Sequence, residues 1–194
     1  RGEGARAGAA AERLATRARE TGVPGVIATG FAVAAQLLLS AGAPEQAKAL
    51  LAELEQVPGT RAAPEYHLLL PELVRCSLAL SEPELAARLA DVEPRTPLEE
   101  HVLYACRAQL TEADGEHADA AALYAEAAAR WEEFGDLPER AYSLLGQGRC
   151  LLALGNSGAE VPLAEARELF AAMGYKPALA ETDALLGRAE AAAL

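Results

Sequence analysis

Residues Tyr104 to Gly146 read YACRAQLTEADGEHADAAALYAEAAARWEEFGDLPERAYSLLG, and this stretch decides the fold. It holds two apolar segments at helical spacing, separated by Asp114-Gly115, and a second break at Gly135 before a third segment. Small residues recur where two helices would cross, and large apolar residues recur where they would pack. The stretch therefore predicts helix, tight turn, helix, break and helix, so that the chain is a row of helical hairpins.

The rest of the 194-residue chain repeats this pattern of apolar helical segments and Gly or Pro breaks. It has neither an alternating apolar–polar run nor a β-branched run of strand length, so we predict an all-α fold. We expect one helical-repeat domain over residues 1–194, cut from a longer chain. Its expected parts are 1–22 as the second helix of a truncated repeat, hairpins over 25–58, 64–92, 97–135 and 136–174, and a terminal helix over 177–194.

Local signals place several helix ends. Pro71 lies inside the fourth segment and predicts a kink or a late start. Ser81 with Glu84 reads as a capping box for the fifth helix. The sequence from Thr96 to Glu99 combines an N-cap, a proline at the first helical position and an acid at the third, so a helix should begin at Pro97.

Two early helices carry apolar faces that need partners. The helix over 4–21 has Ala11, Ala15 and Ala18 on one face, and we expect its partner upstream of residue 1. The helix over 25–41 is apolar nearly all round, so it should be buried between neighbours.

Charge and composition exclude some classes of function. The chain is 52% hydrophobic, with much of that from alanine, and its formal net charge is −12. A nucleic-acid-binding protein needs a basic stripe against the phosphates, and none is visible. No apolar run reaches the roughly 18–20 residues of a membrane span. We therefore expect neither nucleic acid nor membrane as a partner of this segment.

The three cysteines, Cys76, Cys106 and Cys150, lie far apart in apolar helical segments. Their number and placement favour buried thiols in a reducing compartment over disulfides. The chain begins Arg-Gly-Glu-Gly, without an initiator Met or a signal-peptide pattern. We therefore expect a piece of a larger cytoplasmic protein.

Reactive side chains form no convincing constellation. One turn, rich in acidic residues, resembles a cation site, but carboxylates at a helix start are more often solvated. Gly146-Gln147-Gly148 lacks the strand and the Gly-Lys-Ser/Thr of a phosphate loop, so we predict a packing role for it. We predict no catalytic residue, no cofactor and no metal site. The residues of the acidic turn are Asp114, Glu116, His117 and Asp119.

A repeat emerges when the segments are aligned. A turn residue is followed five positions later by alanine, and large apolar residues come next; the turn–alanine pairs are Gly42–Ala47, Ser81–Ala86 and Gly115–Ala120. This spacing resembles the tetratricopeptide repeat, although Arg107 stands where leucine is usual. The resemblance implies an αα-superhelix of about four to five antiparallel hairpins, each stacked on its neighbours. Within the best unit, Ala120, Tyr124 and Ala127 should be packing residues.

A second resemblance comes from two corner segments. WEEFGDLPERA begins at Trp131, and FAAMGYKPALA begins at Phe170. Both are similar to the helical C-terminal arms of large bacterial signalling ATPases, including LuxR-type regulators and adenylate cyclases with an ATPase module. This likeness implies a sensor or scaffold arm attached to an output domain. We expect Trp131 and Phe134 to lie in the core.

One set of polar residues is a candidate partner-binding site. In the repeat alignment a long hydrogen-bonding side chain follows the Leu-Gly-like position, at Gln36, Arg75, Gln109, Gln147 and Arg188. In tetratricopeptide superhelices this side faces the concave groove, where such a ladder would hold a peptide backbone. The alternative is an ordinary solvated polar face, and it stays open here.

Two functions are consistent with these observations. The first is a non-catalytic interaction or scaffold segment of a transcriptional or signalling regulator, which binds a protein, a peptide or another part of its own chain. The second is a regulatory domain that closes around a small ligand. A polar, enclosed pocket would favour the second, and an open groove with an exposed apolar patch would favour the first.

Overall fold

The computed structural model describes the backbone of residues 2–192 and the side chains of residues 4–191. Within this part of the chain the fold is all-α, with no strand, as predicted. Residues 193–194 of the expected terminal helix lie outside the described part. The helices are α1 Gly2–Thr21, α2 Pro24–Ser40, α3 Pro44–Gln56, α4 Pro64–Ala79, α5 Pro83–Ala90, α6 Pro97–Ala113, α7 His117–Phe134, α8 Leu137–Ala153, α9 Glu160–Met173 and α10 Lys176–Ala192, with 3-10 turns at Thr60–Ala62 and Ser157–Ala159.

The helices group into two compact units, Arg1–Leu103 and Tyr104–Leu194. In the first unit α2 contacts α1, α3 and α4, and α4 contacts α5. In the second unit α8 contacts α7, α9 and α10, and α9 contacts α10. Helices that are neighbours in sequence therefore pack together in each unit, as α1 does with α2 and α7 with α8. The expected single domain over 1–194 stays a prediction. No helix within residues 2–192 is both long and apolar enough to cross a membrane.

Side-chain caps set the starts of α6 and α8, and the first of these was predicted above. Helix α6 begins at Pro97, and the backbone N–H of Glu99 donates to the Thr96 hydroxyl at 3.2 Å. The Glu99 carboxylate in turn accepts from the backbone N–H of Arg95 at 2.6 Å. At α8 the backbone N–H of Glu139 donates to the Asp136 carboxylate at 3.0 Å. Both starts are fixed by side chains within one turn, which is why the sequence alone could locate them.

A common turn ends six helices in the described part of the chain. A residue with positive φ follows the helix, and the next N–H donates to the carbonyl five residues back, as in a Schellman motif. Ser81, with φ 59°, is the one position of this kind that is not glycine. Its predicted role as N-cap of α5 is wrong, because it ends α4 and Glu82 precedes α5 instead. The turn positions are Gly42, Ser81, Gly115, Gly135, Gly155 and Gly174.

Helix α4 runs without interruption through Pro71. It begins at Pro64 and ends at Ala79, so the alternative of a late start is wrong. Pro71 is buried, as are Leu70 and Leu73 of the same helix. Burial of this segment therefore opposes the cost of an interior proline, which lacks a backbone N–H.

The apolar face of α1 is covered within the described chain. Ala11, Ala15 and Ala18 are buried, and α1 packs against α2. A Cβ atom added at Gly30 of α2 would lie 2.6 Å from the Cβ of Ala18. This face of α1 is therefore covered by α2, and a further partner upstream of residue 1 stays a prediction.

The core of the second unit contains most of the predicted packing residues. Ala120, Tyr124 and Ala127 are buried, as is Trp131 at 2% exposed. Phe134 was expected in the core as well, but it is 52% exposed. It ends α7, and its ring meets Trp131 edge-on, with centroids 6.1 Å apart. As the last residue of α7, Phe134 is therefore covered only in part.

Candidate functional site

A recess of about 460 Å³ lies between α1 and α2 in the first unit. Residues 14–21 of α1 form one wall and residues 25–33 of α2 form the other. Glu65 of α4 lines the end near the α1–α2 turn. We call this recess the α1–α2 groove.

Close approach of the backbones forms the floor of the groove. Gly30 lets α2 lie directly against Ala18 of α1, as described above. Gly25 lies under the carboxyl group of Glu65, since an added Cβ would be 2.6 Å from the Cδ atom of that residue. A side chain at Gly25 or Gly30 would therefore displace an adjoining helix or the acid at the end of the groove.

The α2 wall presents an exposed stripe. Val26 is 46% exposed and Val33 is 39% exposed, with Thr29 between them at helical spacing. Gln36 continues the same stripe one turn further. Helix α2 is thus buried between α1, α3 and α4, as expected, except along this stripe, which its neighbours leave uncovered.

Val26 and Val33 were not among the residues predicted to contact a partner. In a helix that is apolar nearly all round, apolar character alone does not show which side the neighbours leave open. The sequence held only a weak sign of the open side: of the sides of this helix, only the exposed stripe contains a threonine and ends at a glutamine.

Polar groups contribute little to the open surface of the groove. The Thr29 hydroxyl donates to the carbonyl of Gly25 at 2.9 Å, and the Thr21 hydroxyl donates to the carbonyl of Ala18 at 2.7 Å. Both hydroxyl protons are thereby directed into their own helix. The groove consequently offers mainly carbon atoms to a partner.

Two charged residues line the groove. Arg17 is exposed, and it pairs with Glu20 of the same helix at 3.2 Å. Glu65 of α4 is also exposed, at the end of the groove beside Gly25. The groove thus combines an apolar wall with a carboxylate at one end and an internally paired guanidinium on its rim.

A bidentate ion pair holds α1 in position. The Arg19 guanidinium donates to the Glu53 carboxylate of α3 through two bonds of 2.6 and 2.5 Å. The same guanidinium lies 4.9 Å from the centroid of the Phe31 ring on α2. These bonds raise the pKa of Arg19 and lower the pKa of Glu53. The wall of the groove is therefore tied to both neighbouring helices.

The five predicted partner-binding residues lie one on each even-numbered helix. Two of them are exposed, Gln36 on α2 and Arg188 on α10. Arg75 on α4 and Gln147 on α8 are partly buried, and Gln109 on α6 is only 6% exposed. The first two in sequence belong to the first unit and the other three to the second. Their joint role as a peptide-binding ladder stays a prediction.

Individual environments of these residues differ. The Arg75 guanidinium donates to the Glu72 carboxylate one turn earlier, at 2.8 Å. Because Gln109 is buried, its replacement would change stability as well as any binding. Gln36 is exposed on the same stripe as the groove valines, so it is the member of the set that a partner in the groove would meet.

A partly buried ion pair connects helices of the second unit. Arg149 of α8 donates to the Glu112 carboxylate of α6 through two bonds of 2.6 and 2.7 Å, and it also donates to Glu181 of α10 at 3.0 Å. The Tyr124 hydroxyl donates to the same Glu112 carboxylate at 2.7 Å. One carboxylate thus connects α6, α7 and α8, which makes it a positioning group for these helices.

The pKa values of this cluster follow from burial and charge. Burial alone would raise the pKa of Glu112, but the hydrogen bonds and charge of Arg149 lower it below its usual value. Burial opposes the charge on Arg149 as well, yet Glu112 raises the pKa of the guanidinium. Burial and the Glu112 charge hold the pKa of Tyr124 well above its usual value. The ion pair is therefore charged and the phenol is neutral near pH 7.

The predicted packing role of Gly146 and Gly148 is confirmed. A Cβ atom at Gly146 would lie 2.5 and 2.7 Å from the two Cε atoms of the Tyr124 ring. A Cβ atom at Gly148 would lie 2.5 Å from a methyl carbon of Leu163. Each glycine lets a neighbouring side chain rest directly on α8.

A second buried polar group lies in the first unit. The His67 Nε2 atom is 2.9 Å from the carbonyl oxygen of Arg61 and 3.2 Å from a guanidinium nitrogen of Arg95. Its Nδ1 atom is 3.7 Å from the Glu99 carboxylate. These contacts join α4 to the start of α6, and they give His67 a structural role.

The thiols are buried, as predicted. Cys76, Cys106 and Cys150 are all buried, and none of them is in a disulfide. Burial, reinforced by Glu72, raises the pKa of Cys76, and burial with Glu112 raises the pKa of Cys150 to about 12. Both are therefore poor nucleophiles near pH 7. Among the described residues, no group of three His, Cys, Asp or Glu side chains is placed to hold a metal ion.

Comparison of the chain with protein-family models, with curated proteins and with solved structures finds no match.

Proposed function

We propose that this chain is a non-catalytic protein-interaction segment of a larger cytoplasmic regulator of transcription or signalling. The α1–α2 groove carries the proposal. Its wall leaves Val26 and Val33 substantially exposed, and its polar hydroxyls are engaged within their own helices. An open apolar surface framed by charged residues is typical of a site for another protein.

The proposal includes a tetratricopeptide-like arrangement of the hairpins. It is supported by the shared turn geometry at Gly42, Ser81 and Gly115. It is also supported by the alanine five residues after each turn, which is fully buried in all three cases. Arrays of this kind stack small helical units to build extended binding surfaces. The proposed attachment to an output domain, as in bacterial signalling ATPases, rests on the two corner segments. The three alanines are Ala47, Ala86 and Ala120.

The non-catalytic part of the proposal is supported by the state of the thiols. Cys76 and Cys150 are buried and have raised pKa values, so neither is a ready nucleophile. The partly buried Glu112 accepts from both Arg149 and Tyr124, which suits a positioning role better than proton transfer.

Small-ligand sensing is the second candidate, and the size of the groove favours it. A volume of about 460 Å³ lies within the range of small-molecule sites. Such sites also need several polar groups that converge on the ligand. The groove offers few of these, because the two threonine hydroxyls are already donated internally. We therefore place protein binding first.

Two parallel screens separate these candidates. Selection of a displayed peptide library on the immobilised chain should enrich peptides whose binding protects the α1–α2 groove from hydrogen exchange. Melting-temperature screening against a library of small metabolites should give no shift. A metabolite that raises the melting temperature, together with a peptide selection that enriches nothing, would overturn the proposed function.

A further inference from the structure

We propose that the α1–α2 groove binds an amphipathic α-helix of a partner protein, with apolar side chains against Val26 and Val33 and a basic side chain facing Glu65. This inference rests on the proposed interaction function and names the class of partner. The exposed stripe from Val26 to Val33 spans about two helical turns, or roughly 10 Å. A partner helix lying along it would extend the α1–α2 pair into a three-helix arrangement.

The bonding of the walls selects a helix over an extended peptide. Both walls are α-helices, whose backbone groups are bonded internally. The hydroxyls of Thr21 and Thr29 are directed into the same helices. An extended peptide lying here would bury N–H and C=O groups without partners, at a cost of about 1–3 kcal/mol for each group. A helix brings its own backbone bonds and needs only apolar contact, as in helix-in-groove recognition.

The charges of the groove select a basic partner. Glu65 is exposed beside Gly25, at the end of the groove, where an incoming cation can reach it. Arg17 already pairs with Glu20 on its own helix, so an acidic side chain of the partner would be attracted to it less strongly. The formal net charge of −12 adds long-range attraction for a cationic segment. It also opposes self-association, since a second copy brings the same charge.

The probe is a synthetic peptide of about 18 residues, or five helical turns. It carries leucines along one face and lysines on both flanks of that face, with blocked termini and a fluorescent label. One control peptide replaces every lysine by glutamate. Another carries a central proline that prevents the helix. Fluorescence anisotropy measures the affinity of each peptide for the whole chain.

Substitutions in the chain locate the binding surface. The Val26→Ser/Val33→Ser double variant should weaken binding of the lysine peptide about tenfold, because it removes apolar area that the peptide would cover. Glu65→Gln should weaken it about two- to five-fold, the effect of one exposed ion pair. Val161→Ser and Glu168→Gln are matched controls on exposed residues of the second unit, and both should leave the affinity unchanged.

Preference for the lysine peptide over both control peptides, together with loss of affinity only in the groove variants, supports the inference. Equal affinity of the groove variants and the wild type overturns it. So does a dimer that Val26→Ser/Val33→Ser converts to monomers, because the groove is then an interface between copies. If the displayed peptides instead enrich on another surface, the proposed function stands and this inference fails.

Discussion

Gly146→Ala tests how tightly the second unit is packed. The new Cβ would lie 2.5 Å from one ring carbon of Tyr124 and 2.7 Å from another. Ordinary carbon contacts lie at about 3.5–4.0 Å, so the ring would have to move by about 1 Å. The ring is held in place, because Tyr124 is 3% exposed and its hydroxyl donates to Glu112.

The expected magnitude combines three effects. Alanine in place of glycine inside a helix stabilises by about 1 kcal/mol. Overpacking costs about 1–3 kcal/mol, and weakening of the bond from Tyr124 to the charged Glu112 costs up to about 1.5–3 kcal/mol more. We expect a net loss of about 2 kcal/mol, which for a chain of this length lowers the melting temperature by about 4–8 °C.

Urea denaturation followed by tryptophan fluorescence is the suitable assay. Trp131 is the single tryptophan of the chain, and it lies in the same unit as Gly146, so its signal reports the unfolding of that unit. Gly187→Ala is the matched control. It makes the same change within α10, where no atom lies within 4 Å of the added Cβ, and it should be neutral or stabilise by up to about 1 kcal/mol. If Gly146→Ala is as stable as Gly187→Ala, the close contact with Tyr124 is refuted.

Three further predictions use other parts of the fold. Because folding lowers the pKa of Glu112, the stability that its charge contributes is present above the usual carboxyl pKa and is lost as the pH falls through the lowered value. Glu112→Gln should therefore destabilise the fold most above about pH 5. Urea titrations in acid should show a smaller difference between the variant and the wild type. Ser81→Gly should be at least as stable as the wild type, whereas Ser81→Val should lose about 1–2 kcal/mol of stability because of the positive φ at this position. Equal melting temperatures for the two variants would contradict the turn geometry. Cys76 and Cys150 should react with a thiol reagent only after denaturant is added, and rapid labelling of the native chain would show that they are not buried.

The sequence predicted those features that depend on neighbours along the chain. Helix α6 runs from Pro97 to Ala113 as predicted, because Thr96 and Glu99 fix its start within one turn. The alignment also identified Ser81 as a substitute for the turn glycine, and its φ of 59° agrees with that role. In contrast, the capping-box pattern at Ser81 was misleading. A serine followed by an acid three residues later fits two roles, and only the backbone conformation separates them.

Features that join distant parts of the chain could not be predicted. Glu112 and Arg149 are 37 residues apart, and nothing local marks them as partners. The same holds for the open side of α2, since α1, α3 and α4 decide which of its apolar residues are covered. Candidate residues chosen by repeat position met the same difficulty. Gln109 occupies the position expected to face a groove, yet it is buried.

Two features do not follow from the apolar pattern of the helices, namely the Glu112–Arg149 ion pair and the exposed valines of α2, and they need different explanations. The Glu112–Arg149 pair places two charges at a partly buried position in the second unit, where an ion pair adds little net stability but allows few alternative arrangements of the helices. Glu112 of α6 accepts from Arg149 of α8 and Tyr124 of α7, and Arg149 also donates to α10. We therefore interpret the pair as a device that fixes the relative positions of these four helices. The exposed valines of α2 have no such internal purpose, because apolar area left in water stabilises nothing in the isolated chain. Of these two features, only the α1–α2 groove would be stabilised by contact with something outside the chain. That difference directs the search for function to the groove.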